Sequence, residues 1–297
     1  MNIRTIQILA LAAFSSIAPV ARGDTYIAID FPGAATTEVS GINASGVMVG
    51  SYTDNMGSTH GFKLDGDTFT GFDYPGAITT FAFSVNARGD VAGSFLDATN
   101  QWHGYVLSEG QYFVQDYPDA TTGTFTFSAN GTLVGEFKTG QAFGQLGFAW
   151  ILRRGQYTQL TPPDCNGGTA PQPVHAFATS VNPRGDVVGR LIDAAGRQCA
   201  WKLDKHGAYS IIQVPGASLT NARGINAEGE VVGVYRLGVN HGFVLSRDDF
   251  TNFTSIEFPG AASTRALGIN SRGDIVGSYA FVGPQGGDHG FLLERDE

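Results

Sequence analysis

The stretch that decides the fold is Gly268-Ile269-Asn270-Ser271-Arg272-Gly273-Asp274-Ile275-Val276-Gly277-Ser278-Tyr279. Related stretches lie at Gly41–Tyr52, Ser84–Phe95, Thr126–Phe137, Ser180–Leu191 and Gly224–Tyr235. Their turn glycines, the first of them Gly46, are separated by 43, 42, 54, 44 and 44 residues. A fixed period of this length indicates an array of supersecondary units stacked on one another.

One period, read from Thr220, contains four short segments. They are Thr220–Asn226, Glu230–Tyr235, His241–Ser246 and Phe253–Phe258. Each is rich in β-branched or aromatic residues and is bounded by Gly, Asn, Asp or Pro, which is typical of strands and turns. No segment has a helical period. We name the four predicted strands A, B, C and D.

The count of these strands indicates how the chain begins and ends its array. Copies of A, B and C occur six times, whereas D follows C only five times. The stretch from Tyr26 to Ala34 matches the D strand from Ser255 to Ala261. We therefore predict an all-β fold, a six-bladed β-propeller with four strands per blade, in which the N-terminal strand 26–31 completes the last blade and closes the ring. An open β-solenoid is the alternative, but it gives no reason for the displaced strand.

The ends and the charge of the chain predict its compartment and exclude one class of partner. Residues 1–23 have the pattern of a signal peptide, with Arg4 before an apolar stretch too short to span a bilayer. Residues 24–297 then form a single domain, which we expect to be secreted or periplasmic and to have no membrane anchor. The formal net charge of −9 argues against nucleic acid as a partner.

The repeated motif resembles a known family. His-Gly-Phe-Leu-Leu, a Thr-x-Ile-Asp/Glu strand and Ala-x-Gly-Ile-Asn-x-x-Gly-Asp-Ile-Val-Gly together are similar to the HAF-type extracellular repeat family, over nearly all of the chain after residue 24. This chain departs from it where Pro-Gly-Ala replaces a Leu-Gly-Gly turn. The resemblance implies a secreted bacterial propeller-like protein and supplies no catalytic residues.

Four C strands begin with histidine, and several B–C turns carry aspartate. The histidines are His60, His103, His241 and His289, and the aspartates are Asp54, Asp97 and Asp193. Equivalent positions in different blades radiate around an axis, so four such histidines cannot converge on one metal ion. We expect structural histidines, turn-capping aspartates, no metal site, no cofactor and no catalytic residue, since no catalytic motif occurs.

Two cysteines remain after the predicted leader. Cys165 lies in the long connection that enters the fourth copy, and Cys199 follows the B–C turn of the same copy. Both connections emerge on one face of a propeller. We predict a disulfide between them, with two free thiols as the alternative.

Two variable columns in the A strands, five and three residues before the repeated asparagine, are the best candidates for a ligand site. The predicted binding residues are Glu38, Phe81, Phe177, Asn221, Arg223 and Arg265. Packing between blades with a Glu38–Arg265 ion pair is the alternative. We expect a non-enzymatic binding module for an extracellular glycan, an envelope component or a protein. The second hypothesis, a hydrolase or lyase acting on polysaccharide, requires acid residues near the axis, where these columns offer only Glu38.

Overall fold

The computed structural model describes residues 23–118, 124–127, 131–138, 147–168, 175–247, 249–283 and 287–295, with backbone alone for 124–127. The predicted leader, apart from Gly23, lies outside these residues. In the described part of the chain there are twenty-four strands and no helix, which confirms the all-β class.

The strands follow one another in groups of four. The first strand is β1 (Thr25–Ile29). The next two groups are β2 (Thr36–Ile42), β3 (Met48–Thr53), β4 (Thr59–Asp65), β5 (Thr68–Phe72), β6 (Thr79–Val85), β7 (Val91–Leu96), β8 (Trp102–Ser108) and β9 (Gln111–Val114). Two more are β10 (Thr124–Phe127), β11 (Leu133–Lys138), β12 (Gly147–Arg153), β13 (Gln156–Leu160), β14 (His175–Val181), β15 (Val187–Ile192), β16 (Gln198–Leu203) and β17 (Tyr209–Ile212). The last are β18 (Leu219–Ile225), β19 (Val231–Leu237), β20 (Val239–Leu245), β21 (Phe253–Ile256), β22 (Ser263–Ile269), β23 (Ile275–Ala280) and β24 (His289–Glu294).

Each group forms an antiparallel ladder in chain order, and β1 joins the last one. The order of that sheet is β1-β24-β23-β22, with Tyr26 opposite Leu293. Two neighbouring groups, β14–β17 and β18–β21, share one sheet through a parallel bridge between Gln198 and Leu219. The N-terminal strand therefore occupies the fourth position that the repeat count predicts.

The first strand of a group carries a β-bulge in five of the six described ladders. In β2 the register shifts between Val39 and Gly41, and β6, β14, β18 and β22 shift at the equivalent place. In β10 the pairing runs without this shift, so that Phe125 lies opposite Gly135. Phe125 therefore takes the place opposite the second glycine that Val39, Ala82, Ala178, Ala222 and Ala266 have in the other copies.

The second glycine of each repeat is required by a close approach of the backbone. A Cβ atom added at Gly277 would lie 1.8 Å from the carbonyl oxygen of Arg265. At Gly50 it would lie 1.9 Å from the carbonyl oxygen of Glu38. Real Cβ atoms do not approach a carbonyl so closely, which explains why glycine recurs at this position.

The repeated asparagine links each turn to its neighbour. Asn270 Oδ1 accepts hydrogen bonds from the backbone N–H groups of Arg272 and Asp274, which closes the tight turn. Its Nδ2 donates to the carbonyl of Asn43, 227 residues away in sequence, at 3.3 Å. The same donation joins Asn43 to Asn86 at 2.9 Å. The turns are thus bonded to one another across the two ends of the chain.

Aromatic rings connect neighbouring groups. In four places a ring just after the fourth strand of one group stacks on a ring of the second strand of the next. These pairs are Phe31–Tyr52, Tyr74–Phe95, Tyr117–Phe137 and Phe258–Tyr279, with centroids 3.6–3.9 Å apart. The core therefore lies between the sheets as well as within them.

The predicted disulfide is present. Cys165 and Cys199 are bonded, with their Cα atoms 5.7 Å apart. Both are buried in the cluster that contains Trp201 and Leu191. The bridge links the connection that enters β14 to β16, the third strand of the same ladder. Residues 169–174 of that connection lie outside the described residues.

Candidate functional site

The first strands of the groups surround a cavity of about 600 Å³. Its walls come from β2, β6, β14, β18 and β22 and from the asparagine turns that follow them. The bulged residues line it as a set: Ser40, Phe83, Thr179, Arg223 and Leu267. A bulge leaves one residue without a cross-strand partner and re-aims its side chain, so the repeated irregularity is what brings unlike side chains to this wall.

The structure brings together three of the six predicted binding residues. Glu38, Phe177 and Arg223 line the cavity. The other three lie outside its described lining. Phe81 packs against Trp102 with centroids 5.8 Å apart, and Asn221 is buried at 7% exposure.

Arg265 forms the ion pair that the sequence offered as the alternative to a binding role. Its Nη2 lies 3.5 Å from Glu38 Oε2 and also binds Asp288 Oδ2. Its Nε donates to Ser278 Oγ at 3.1 Å. With two carboxylates and a hydroxyl around it, this guanidinium is satisfied by the protein itself, and it fixes the position of Glu38.

Three charged residues of the second strands were missed. Glu136 and Lys138 of β11 and Arg190 of β15 also line the cavity. Glu136 and Arg190 each follow the second glycine of a repeat, where the other copies have Ser51, Ser94, Val234 and Ser278. The sequence therefore contained an indication of these two residues, because this column is charged only in the copies that contain Glu136 and Arg190. The column lies directly across the ladder from the A-strand column that contains Phe177, as the pairing of Phe177 with Arg190 demonstrates.

The acidic wall of the cavity contains a buried carboxyl, that of Glu136. Glu136 is 6% exposed, and burial raises the pKa of its carboxyl even though Lys138 and Arg190 act in the opposite direction. Lys138 Nζ lies 3.4 Å from Glu136 Oε1. The other carboxylate of the cavity, Glu38, has Arg265 as its basic neighbour, with Arg265 Nη2 3.5 Å from Glu38 Oε2.

The basic wall consists of Arg190 and Arg223. Arg190 stacks over the ring of Phe177, with Cζ 4.1 Å from the centroid. Burial lowers the pKa of Arg190, opposed by Glu136. Burial, followed by the charge of Arg190, lowers the pKa of Arg223 to about 10. Both remain cationic at neutral pH, in a wall where their charges repel each other.

The four C-strand histidines do not converge; each has a carboxylate in its own sheet. His60 Nδ1 lies 2.9 Å from Asp73 Oδ2, and His103 Nδ1 lies 2.8 Å from Asp116 Oδ2. His241 pairs with Glu257, and His289 pairs with Asp30. Where Phe148 and Cys199 replace the histidine, Thr161 and Gln213 stand at the carboxylate position. Histidine and acid therefore occur together, as expected for a structural pair that holds the third strand to the fourth.

The turn aspartates also have the predicted capping role. Asp54 Oδ1 accepts from the N–H groups of Met56 and Ser58 at 2.8 and 2.9 Å. Asp97 and Asp193 accept from their own turns in the same way. Among the described residues, no group of three or more His, Cys, Asp or Glu side chains is placed to hold a metal ion. None of the described segments is a helix long and apolar enough to cross a membrane.

Comparisons with known proteins identify the fold. No protein-family model and no curated protein sequence matches the chain. Among solved structures, a protein of unknown function from Dyadobacter fermentans is 13% identical, with a TM-score of 0.57 over 93% of this chain and 100% of that one. A streptogramin B lyase is 13% identical, with a TM-score of 0.51 over 91% and 98% of the two chains. A gluconolactonase from Xanthomonas campestris is 12% identical, with a TM-score of 0.52 over 89% and 88%. Likeness at these identities shows the fold alone, a β-propeller type.

Proposed function

We propose that this protein is a secreted, closed six-bladed β-propeller that binds an extracellular glycan in its central cavity without chemical turnover. Closure is supported by the contacts of the first strands, because β2 touches both β6 and β22, while β10 and β18 each touch their neighbours on both sides. The Asn270–Asn43 bond across the chain ends supports it further. Membership of the HAF-type repeat family stays part of the proposal, supported by the repeated Ile-Asn-x-x-Gly motif.

The cavity is the observation that carries the binding function. Its volume of about 600 Å³ falls within the usual range for small-molecule sites, which combine aromatic walls with a few placed polar groups. Phe83 and Phe177 supply aromatic surface, and Glu38, Ser40 and Arg223 supply polar groups. Aromatic faces beside hydrogen-bonding groups suit the apolar faces and hydroxyl edges of a sugar ring. The disulfide supports export to an oxidising compartment.

A glycan array probed with the purified protein tests this function. The Phe83→Ala variant removes an aromatic wall of the cavity and is expected to lose the bound glycans, by about tenfold or more in affinity. Phe113→Ala is the matched control, because Phe113 is 53% exposed and lies outside the described lining of the cavity. Equal binding by the wild type and Phe83→Ala would place the ligand elsewhere.

A polysaccharide hydrolase is the second candidate, and Glu136 is the observation that favours it. Its raised pKa suits a general acid, and Glu38 in the same cavity gives a second carboxylate. Each acid lies beside a basic side chain, Lys138 or Arg265, as also expected of a binding site. Incubation of any array hit with the protein decides between the two. Cleavage products that disappear in both Glu38→Gln and Glu136→Gln would replace the binding function by the enzymatic one.

A further inference from the structure

Two arginines of the central cavity have a donor that the protein leaves unused. The Nε atoms of Arg190 and Arg223 are buried, and neither has a hydrogen-bond partner among the described residues. Both residues line the cavity. Buried donors are almost always paired in folded proteins, because a donor removed from water without a partner costs about 1–3 kcal/mol, and more when it is charged. These two groups therefore need an explanation.

The surrounding charges do not supply the missing partner. Glu38 is engaged by Arg265, which also holds Asp288. Glu136 opposes the lowering of the Arg190 pKa by burial, but it makes no hydrogen bond to the Arg190 Nε. In the described part of the structure Arg223 has no ion pair; burial and then the charge of Arg190 lower its pKa, and Glu38 opposes them without forming a salt bridge to it. The basic wall thus has an excess of positive charge although the whole chain has a net charge of −9.

We propose that Arg190 and Arg223 form a subsite for an oxyanion on the bound glycan, a uronate carboxylate or a sulfate ester. This deepens the proposed glycan-binding function and rests on it. The planar guanidinium presents its donors as a fork that matches the oxygens of such groups. Phe177 stacks on Arg190 and fixes the plane of that fork. The sugar ring that carries the anion then lies in the part of the cavity lined by Phe83 and Ser40.

The arrangement fits a site that is completed by its ligand. Arg265, in the sheet next to that of Arg223, already has protein acceptors for its guanidinium. Arg190 and Arg223 differ in keeping their Nε donors inside the cavity wall. An oxyanion between them would remove their mutual repulsion and satisfy the buried donors in one step. A neutral sugar would leave both effects in place, so the subsite should discriminate strongly in favour of acidic glycans.

Titration calorimetry with three hexasaccharides tests the subsite. The probes are hexagalacturonate for the carboxylate, a heparin-derived hexasaccharide for the sulfate ester, and maltohexaose as the neutral control. We expect at least one acidic probe to bind and the Arg223→Met variant to weaken that binding by about 10- to 150-fold, the loss of a charge-assisted hydrogen bond. Arg236→Met is the matched control, because Arg236 is an exposed arginine outside the described lining. The acidic probe that binds identifies the oxyanion.

Other outcomes separate this subsite from the function on which it rests. Binding of maltohexaose as tight as that of the acidic probes overturns the subsite and leaves glycan binding in place. Acidic binding that Arg223→Met does not weaken also overturns it. Binding of none of the three probes overturns the subsite, and an empty glycan array would overturn the proposed function as well. Without ligand, Arg223→Met is expected to raise the melting temperature, since it removes a charged side chain whose Nε donor is buried without a partner; a lowered one would assign Arg223 a structural role instead.

Discussion

The contact between the first sheet and the end of β1 is where ring closure can be tested with one side chain. Phe31, just after β1, stacks on Tyr52 of β3 with centroids 3.7 Å apart. Its ring is also edge-on to Phe69 at 5.4 Å and tilted against Phe62 at 6.0 Å. The Phe31→Ala variant removes all three contacts and leaves the strand pairing of β1 intact. It therefore tests the interface rather than the strand.

The chain contains a matched control for this variant. Phe258, just after β21, has the same three contacts: it stacks on Tyr279 at 3.6 Å, is edge-on to Tyr26 at 5.5 Å and is tilted against Phe291 at 6.2 Å. Both phenylalanines are half-buried. The difference is that Phe258 joins sheets that are consecutive in the chain, whereas Phe31 joins the N-terminal strand to the first sheet.

The expected loss follows from the size of the ring and its partial burial. A fully buried Phe→Ala change costs about 3–5 kcal/mol, and partial exposure reduces this to about 2–3 kcal/mol for either variant. For a chain of this size that corresponds to a fall of about 4–12 °C in melting temperature. Calorimetry or guanidinium denaturation followed by tryptophan fluorescence measures it. If Phe258→Ala lowers stability and Phe31→Ala does not, the first sheet does not pack on β1 and the ring is open.

The glycine column, the histidine pairs and the disulfide each give a further expectation. Gly277→Ala should reduce the yield of folded protein or lower its stability by more than about 3 kcal/mol, since the new methyl group would meet the Arg265 carbonyl; unchanged melting would contradict the close approach. In folded protein the pKa values of His60 and His103 are raised, because hydrogen bonds to carboxylates outweigh burial. Their stabilisation is therefore complete below about pH 6.5 and is lost as pH rises through the folded values, so that a double His→Gln variant should show a flatter stability profile from pH 6.5 upward. Reduction of the Cys165–Cys199 bridge opens the loop that it closes, whose ends are 34 residues apart in sequence. This should lower the free energy of unfolding by about 3–4 kcal/mol. Two thiols that alkylate without reductant would show that the bridge is absent.

The histidine pairs show a limit of reading single positions. The sequence places His60 and its counterparts at the heads of C strands, and geometry around an axis argues against a shared metal. That each has its own acid follows from the antiparallel pairing of the third and fourth strands, which brings His60 beside Asp73, 13 residues later. The pairing is visible in the sequence only as the joint replacement of both residues in two of the copies.

The candidate site could be predicted only in part. Glu38 and Phe177 were identified because one A-strand column varies among copies, and Arg223 because the column two residues later also varies. Arg190 and Glu136 were missed because a strand pair presents two columns to the same cavity. Phe81, Asn221 and Arg265 were also assigned to it, but they lie outside its described lining: Phe81 packs on Trp102, Asn221 is buried, and Arg265 binds Asp288 and Glu38. Such competition between partners depends on three-dimensional neighbours that a column does not reveal.

By itself, the sequence determined the strands, the fourfold grouping, the pairing of β1 with β24 and the disulfide. The strands and their grouping follow from local chemistry repeated at a fixed period: alternating β-branched residues, glycine at tight turns and asparagine caps. The pairing of β1 follows from the count of D strands, and the disulfide follows from two cysteines on connections that emerge on one face. The tertiary structure decided which side chains reach the cavity. A β-bulge adds one residue to a strand and reverses the side that the following residues face. The copy without a bulge, β10, therefore departs from its siblings although its sequence resembles theirs. The sequence period determines the order and grouping of the strands. The bulges and the charged side chains that line the cavity determine the candidate site.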